Sequence, residues 1–184
     1  MGTPQLSAEQ IAQVSALVSQ FIFAQREEHS RQCVPLTPEQ REAMEGFFSA
    51  QVLDGVRIVI SNKQRVANPS FYPTLAEMGF EDLPDFSLMA AITFSHVVVS
   101  HVPFTDGLLF HELVHVEQYH RLGISRFAEL YVEGFLTGGG YEGIPLEIHA
   151  YELGARFEAS PQRRFAVSDE VLDWIWQRRY SSNK

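Results

Sequence analysis

Cysteine is almost missing from this chain: Cys33 is the only one in 184 residues. No internal disulfide can form, and neither an oxidising nor a reducing compartment is indicated. Positive charge is scarce as well. Fourteen Lys and Arg stand against 23 Asp and Glu, a formal net charge of −9, which argues against nucleic acid, a partner that wants clustered cationic side chains. No apolar run is long enough to read as a membrane span. The opening residues, Met-Gly-Thr-Pro-Gln, have neither the basic start nor the apolar stretch of a secretory signal. The cytoplasm is therefore the expected compartment, with export by a route that needs no cleavable signal left open. Internal repeats and low-complexity tracts are missing too. What is present is 45% hydrophobic and 20% charged, the balance of an ordinary soluble chain. Residues 1–184 are expected to form one domain, large enough to bury a core without staples.

Apolar spacing predicts a first helix over 6–29, opened by a Ser7/Gln10 capping box and carrying Ile11, Val14, Leu17, Val18, Phe21 and Ile22 as a packing stripe. Thr37-Pro38-Glu39-Gln40 opens a second helix, expected to run to about Leu53 with Met44, Phe47 and Phe48 inward. Asp54-Gly55 reads as a turn and Val56–Ile60 as a strand. Residues 61–86 are broken too often by Pro and Gly for long elements, and read as an irregular excursion with a short helical turn near Thr74–Met78. Ala90–Phe94 and Val97–Ser100 read as strands, flanked by His96 and His101, which are taken as edge histidines without a functional role. Later helices are expected over Arg126–Thr137, capped by Ser125, and over Pro145–Glu158, with the Gly138–Gly140 run between them as a flexible joint. Ser168 is expected to cap a last helix that packs through Val171, Leu172, Ile175 and Trp176, with Arg178 and Arg179 near its end and 181–184 frayed. The fold class is thus α+β, mainly helical with a small antiparallel or mixed sheet.

Between the strands and these later helices lies His111-Glu112-Leu113-Val114-His115. Thr105 or Asp106 offers a cap, five apolar residues supply mass, and Gly123 marks a stop, so the segment reads as a helix. Two His four apart then share one face and can hold one ion together. Neutral imidazoles at such spacing suit zinc best. Glu112, one step round the helix, lies beside the ion, where it can take a proton from water. Chance alone supplies roughly 0.02 such H-E-x-x-H matches in a chain of this composition, and a buried helix with two His merely satisfied by hydrogen bonds is the competing explanation. The motif resembles that of the zincin metallopeptidases. Its wording, H-E-L-V-H-V-E-Q, is most similar to small bacterial domains with H-E-L-x-H-V-x-Q followed by P-x-E-x-x-A, over residues 108–152.

A third protein ligand is needed. His120 does not fit the metzincin spacing, which would place a Gly at Gln118 and a His at Arg121. Glu147 opens a later helix and is fixed on a rigid element, with the small Ala150 permitting close approach. The resemblance adds that Pro145-Leu-Glu-Ile-His-Ala150 matches P-x-E-x-x-A, the gluzincin arrangement of two His on one helix and a Glu on another. Glu147 is favoured, with His149, Glu142, Glu133 and His120 as alternatives. Tyr151, four residues beyond Glu147, shares its face and is a candidate donor to an oxyanion, or else a packed aromatic. Asp106, Glu129 and Glu152 are candidates to orient the ligand imidazoles. The expected function is zinc-dependent hydrolysis of a peptide or protein substrate, with Glu112 as general base. Its rival is a silent binding or structural module of a larger assembly, keeping fold and metal without turnover.

Overall fold

Two capping boxes open the first two helices. In the computed structural model, which describes residues 6–61, 64–80 and 82–181, Ser7 and Gln10 bond reciprocally ahead of α1, Ala8–His29. Thr37 and Gln40 do the same ahead of α2, Pro38–Met44. Along α1 the expected stripe turns inward except for Leu17, which is exposed. The single helix expected to reach Leu53 is two. The backbone extends at Glu45 (ψ 140°), and Ser49 caps a new helix, α3, Ala50–Gly55, by accepting from the Val52 amide. A serine hydroxyl offers the backbone this alternative to continued helix. Asp54 and Gly55 belong to α3 rather than to a turn, while Met44, Phe47 and Phe48 are buried as expected.

The sheet has three strands, β1 Arg57–Ile60, β2 Ala91–Phe94 and β3 Val97–Ser100, in the order β1-β3-β2. β1 runs parallel to β3, and β2 pairs antiparallel with β3 through a tight hairpin. The valines of β3 are fully buried and divide by alternation. Val98 packs with Leu109, Phe110 and Leu113, whereas Val97 and Val99 join the cluster that holds Phe127 and Ile144.

Between β1 and β2 the irregular excursion holds a short helix, α4, Tyr72–Glu77, close to where a helical turn is expected, and is followed by a single 3-10 turn at Phe86–Leu88. His101 ties it down. Its Nε2 accepts from the Val66 amide at 3.0 Å, so Nδ1 carries the proton and donates to the Met89 carbonyl at 2.8 Å. This residue is buried, a structural pin; His96 is exposed.

The longest element is α5, Asp106–Gly138, capped by Thr105 and kinked at Gly123, whose φ of 72° suits glycine. The stop expected there is found: Gly123 is non-helical (φ 72°, ψ 166°), so α5 is two helical limbs meeting at a kink, the second of them already under way at the expected Arg126. α6, Pro145–Ala159, returns against α5. The glycines before it make a close backbone approach: Gly138 and Gly143 leave no room for a Cβ on either. α7, Val167–Ser181, starts before Ser168, because the Val167 amide is bonded to the Phe47 carbonyl. Its packing face is accordingly Val171, Trp174 and Ile175, with Leu172 and Trp176 exposed. The side chains of Arg178 and Arg179 and the expected frayed end beyond Ser181 lie outside the described residues. The architecture is mainly helical α+β with a small mixed sheet. No helix among the described residues is long and apolar enough to cross a membrane.

Candidate metal centre

On the first limb of α5, His111 and His115 stand one turn apart, and α6 brings Glu147 opposite them. The Nε2 atoms of the two imidazoles are 3.1 Å apart. Glu147 Oε2 lies 3.5 Å from His111 Nε2 and 3.4 Å from His115 Nε2. Ligands about 2.0–2.2 Å from a tetrahedral ion are separated by about 3.3 Å, so this triangle has the edges such an ion requires. These three residues form a group able to hold a metal ion. Glu147 Oε2 is buried without a hydrogen-bond partner, a costly state for a carboxylate oxygen and one that a cation removes.

The tautomer of His115 fits too. The Gln118 amide donates from Nε2 to the Leu146 carbonyl at 3.1 Å, which fixes its orientation and turns Oε1 toward His115 Nδ1 at 2.8 Å. An acceptor there places the His115 proton on Nδ1 and leaves the Nε2 lone pair aimed into the triangle. Burial opposes charge on His115, but Glu147, Glu112 and Gln118 outweigh it and raise its pKa to about 9. Burial likewise opposes charge on Glu147, and the two imidazoles outweigh it, holding the carboxyl well below its ordinary range. The site calls for positive charge, which an imidazolium or a cation can supply.

Glu112 is also buried, and its Oε2 accepts from the Thr93 hydroxyl of β2 at 2.7 Å. Burial raises its pKa, against the pull of His115, His111 and Thr93. Two spaces meet at this carboxylate. An inner recess of about 70 Å³ and an open outer groove of about 730 Å³ both have His111 and Glu112 in their walls. Tyr151 is 59% exposed as a residue, and its ring stands in the groove wall with its centroid 4.5 Å from that of His111.

The other expected residues lie elsewhere. His120, Glu133 and Glu142 are exposed. His149 is buried on another side of α6, stacked on Trp174 at 5.1 Å, and burial pushes its pKa down to about 4. None of the three candidates for orienting the imidazoles does so: Asp106 and Glu152 are exposed, and Glu129 pairs with Arg126. Gln118 takes that part for His115, and its position in H-E-L-V-H-V-E-Q was the available signal. Thr93 and Tyr141 were also missed. Thr93 shows only as an alternating position in a short strand, and Tyr141 only as the aromatic after the glycine run; Tyr141 lines both recess and groove. Burial first, then the neighbouring Glu147, raises the pKa of its phenol.

The site is thus of the two-histidine, one-carboxylate kind, with a further carboxylate beside it. No family model matches the chain, and no curated protein or solved structure matches it.

Proposed function

We propose that this chain is a zinc-dependent peptide hydrolase of the zincin type, with His111, His115 and Glu147 as ligands and Glu112 as general base. The observation that carries this reading is the placement of Glu112. Its carboxylate is not one of the three clustered ligands, yet it is buried at the junction of groove and recess and fixed there by Thr93. A site that only held a metal would gain nothing from a buried carboxylate at that point.

Zinc, when bound, supplies Lewis acidity toward a carbonyl oxygen and acidifies water. Thr93 occupies Oε2 of Glu112, which leaves Oε1 for an attacking water. Glu112 takes the proton from that water as its oxygen bonds to the scissile carbonyl carbon. The same carboxyl then delivers the proton to the departing amine as the C–N bond breaks. Tyr151, whose ring stands in the groove wall beside His111, is the candidate donor of a hydrogen bond to the oxyanion. With its net charge of −9 the chain is poorly equipped for nucleic acid, and a peptide substrate met in the cytoplasm belongs to the same reading.

The test is cleavage of a mixed peptide library, read by mass spectrometry, by zinc-supplied wild type and by Glu112→Gln. The variant is expected to keep its zinc and lose about 10²–10⁴-fold in rate, the usual worth of a general base. Equal cleavage by both proteins would identify a contaminating protease. Cleavage by neither, with zinc confirmed in both, would favour a silent binding module.

A further inference from the structure

We propose that the inner recess selects the substrate: it receives a large apolar side chain from a residue adjoining the reacting carbonyl, while the outer groove takes flanking residues that are neutral or cationic. This rests on the hydrolase reading and adds a substrate class to it.

The recess is several times the roughly 10–15 Å³ that a single water requires, at about 70 Å³. Its apolar wall draws on several separate elements, three of which lie away from the ligands. α1 contributes Val18, Phe21 and Ile22, β2 contributes Ile92 and Phe94, and the second limb of α5 contributes Phe127. Helix α1 has no share in the metal cluster, so this wall is a feature apart from the ligands. The charged or titratable side chains at the recess belong to the site itself or are tyrosine phenols; no Lys or Arg is in its lining among the described residues. An ionised side chain placed there would lose its hydration without gaining a partner, whereas an aliphatic or aromatic one would leave water for matching surroundings.

The same recess is lined by His111, Glu112, His115 and Glu147. A side chain filling it is therefore attached to a residue whose carbonyl lies at the ligands. Outside, the groove carries Asp85 and Glu158 and again no Lys or Arg among the described residues. Glu158 lies against Gly107 at the start of α5, where any Cβ would displace it. Leu88, 79% exposed, stands in the groove wall. An acidic peptide meets like charge along this path, and a cationic or neutral one does not.

The experiment uses zinc-supplied Glu112→Gln, in which turnover is disabled, and measures affinity for the hydroxamates of glycine, leucine, phenylalanine and glutamate by calorimetry. Leucine and phenylalanine compounds are expected to bind at least about tenfold tighter than the glycine one, the order expected for burying one apolar side chain, with glutamate weakest. Adding Val18→Trp, which fills the recess from α1, should narrow the phenylalanine-to-glycine ratio about tenfold. Val18→Ala, a milder change, should move the preference toward larger side chains. A second arm needs neither metal nor turnover: with chelator present, indole should perturb methyl resonances of Val18, Ile22 and Ile92. A flat hydroxamate series, no hydroxamate binding at all, a ratio untouched by Val18→Trp, or no indole effect overturns the proposal. If both binding arms succeed and the wild type cleaves no peptide, hydrolysis fails while the apolar recess stands.

Discussion

Gln118 is the residue on which the quality of the proposed metal centre turns. One amide does two jobs: its oxygen fixes the His115 proton on Nδ1 and its nitrogen holds the Leu146 carbonyl, one residue from Glu147. Gln118→Ala is therefore expected to lower zinc affinity about 10–100-fold without removing a ligand, measured by competition with a zinc-binding dye. His111→Ala and Glu147→Ala should lose stoichiometric zinc outright. The exposed Glu133→Ala and Glu142→Ala should keep it, and equal retention by Glu147→Ala and wild type would move the third ligand elsewhere. The two histidines were legible in the sequence because a helical i, i+4 pair is a local fact. Glu147 was legible less directly, through its place at the start of a rigid element. The orienting part of Gln118 was signalled only by its place in H-E-L-V-H-V-E-Q, since the carbonyl that fixes its amide comes from Leu146, 28 residues further on. The carboxylates expected in that part were candidates by chemistry alone, and exposure or other partners remove them.

At the scale of the elements, the position of α6 decides whether Glu147 reaches the histidines. Gly134, on the second limb of α5, faces the start of α6, and a Cβ there would overlap the Pro145 ring. Gly134→Ala should push the first turn of α6 outward, cost about 1–3 kcal/mol in chemical denaturation as overpacking does, and weaken zinc binding with it. Gly154, within α6, has open space where a Cβ would go. Gly154→Ala should be neutral or stabilising by about 0.5–1 kcal/mol, so a similar loss in both variants would count against the close-approach explanation. From the sequence Gly134 was indistinguishable from any helical glycine, because its use depends on a neighbour from another element. The same limit explains the other element-scale differences. Capping boxes at Ser7 and Thr37 were readable, as was the short helix in the excursion. Breaking 37–53 at Ser49 was not, and the start of α7 depends on a bond between Val167 and Phe47 that no local pattern contains.

On the scale of the whole molecule, the fold class was readable from element types, whereas the sheet order and the meeting of recess and groove were not, being products of long-range packing. On the proposed reading those long-range contacts also link a bound metal to stability. The three proposed ligands bridge α5 and α6, and Glu147 and His115 are buried beside the equally buried Glu112. Without a cation the folded chain has to hold these groups at the expense of their hydration. A metal that binds only the folded state stabilises it by mass action, about 2.7 kcal/mol at a free concentration one hundred times its Kd. For a chain of this length each kcal/mol moves Tm by about 2–4 °C, so zinc at that excess should raise Tm by roughly 5–10 °C over chelated protein. His111→Ala should show little of that rise at the same zinc concentration, and Glu112→Gln should show most of it, because Glu112 is not among the clustered ligands. Scanning calorimetry of the three proteins with and without chelator separates the possibilities. An equal rise in wild type and His111→Ala would place the zinc somewhere other than this centre, and no rise in wild type would remove the metal from the account of the fold.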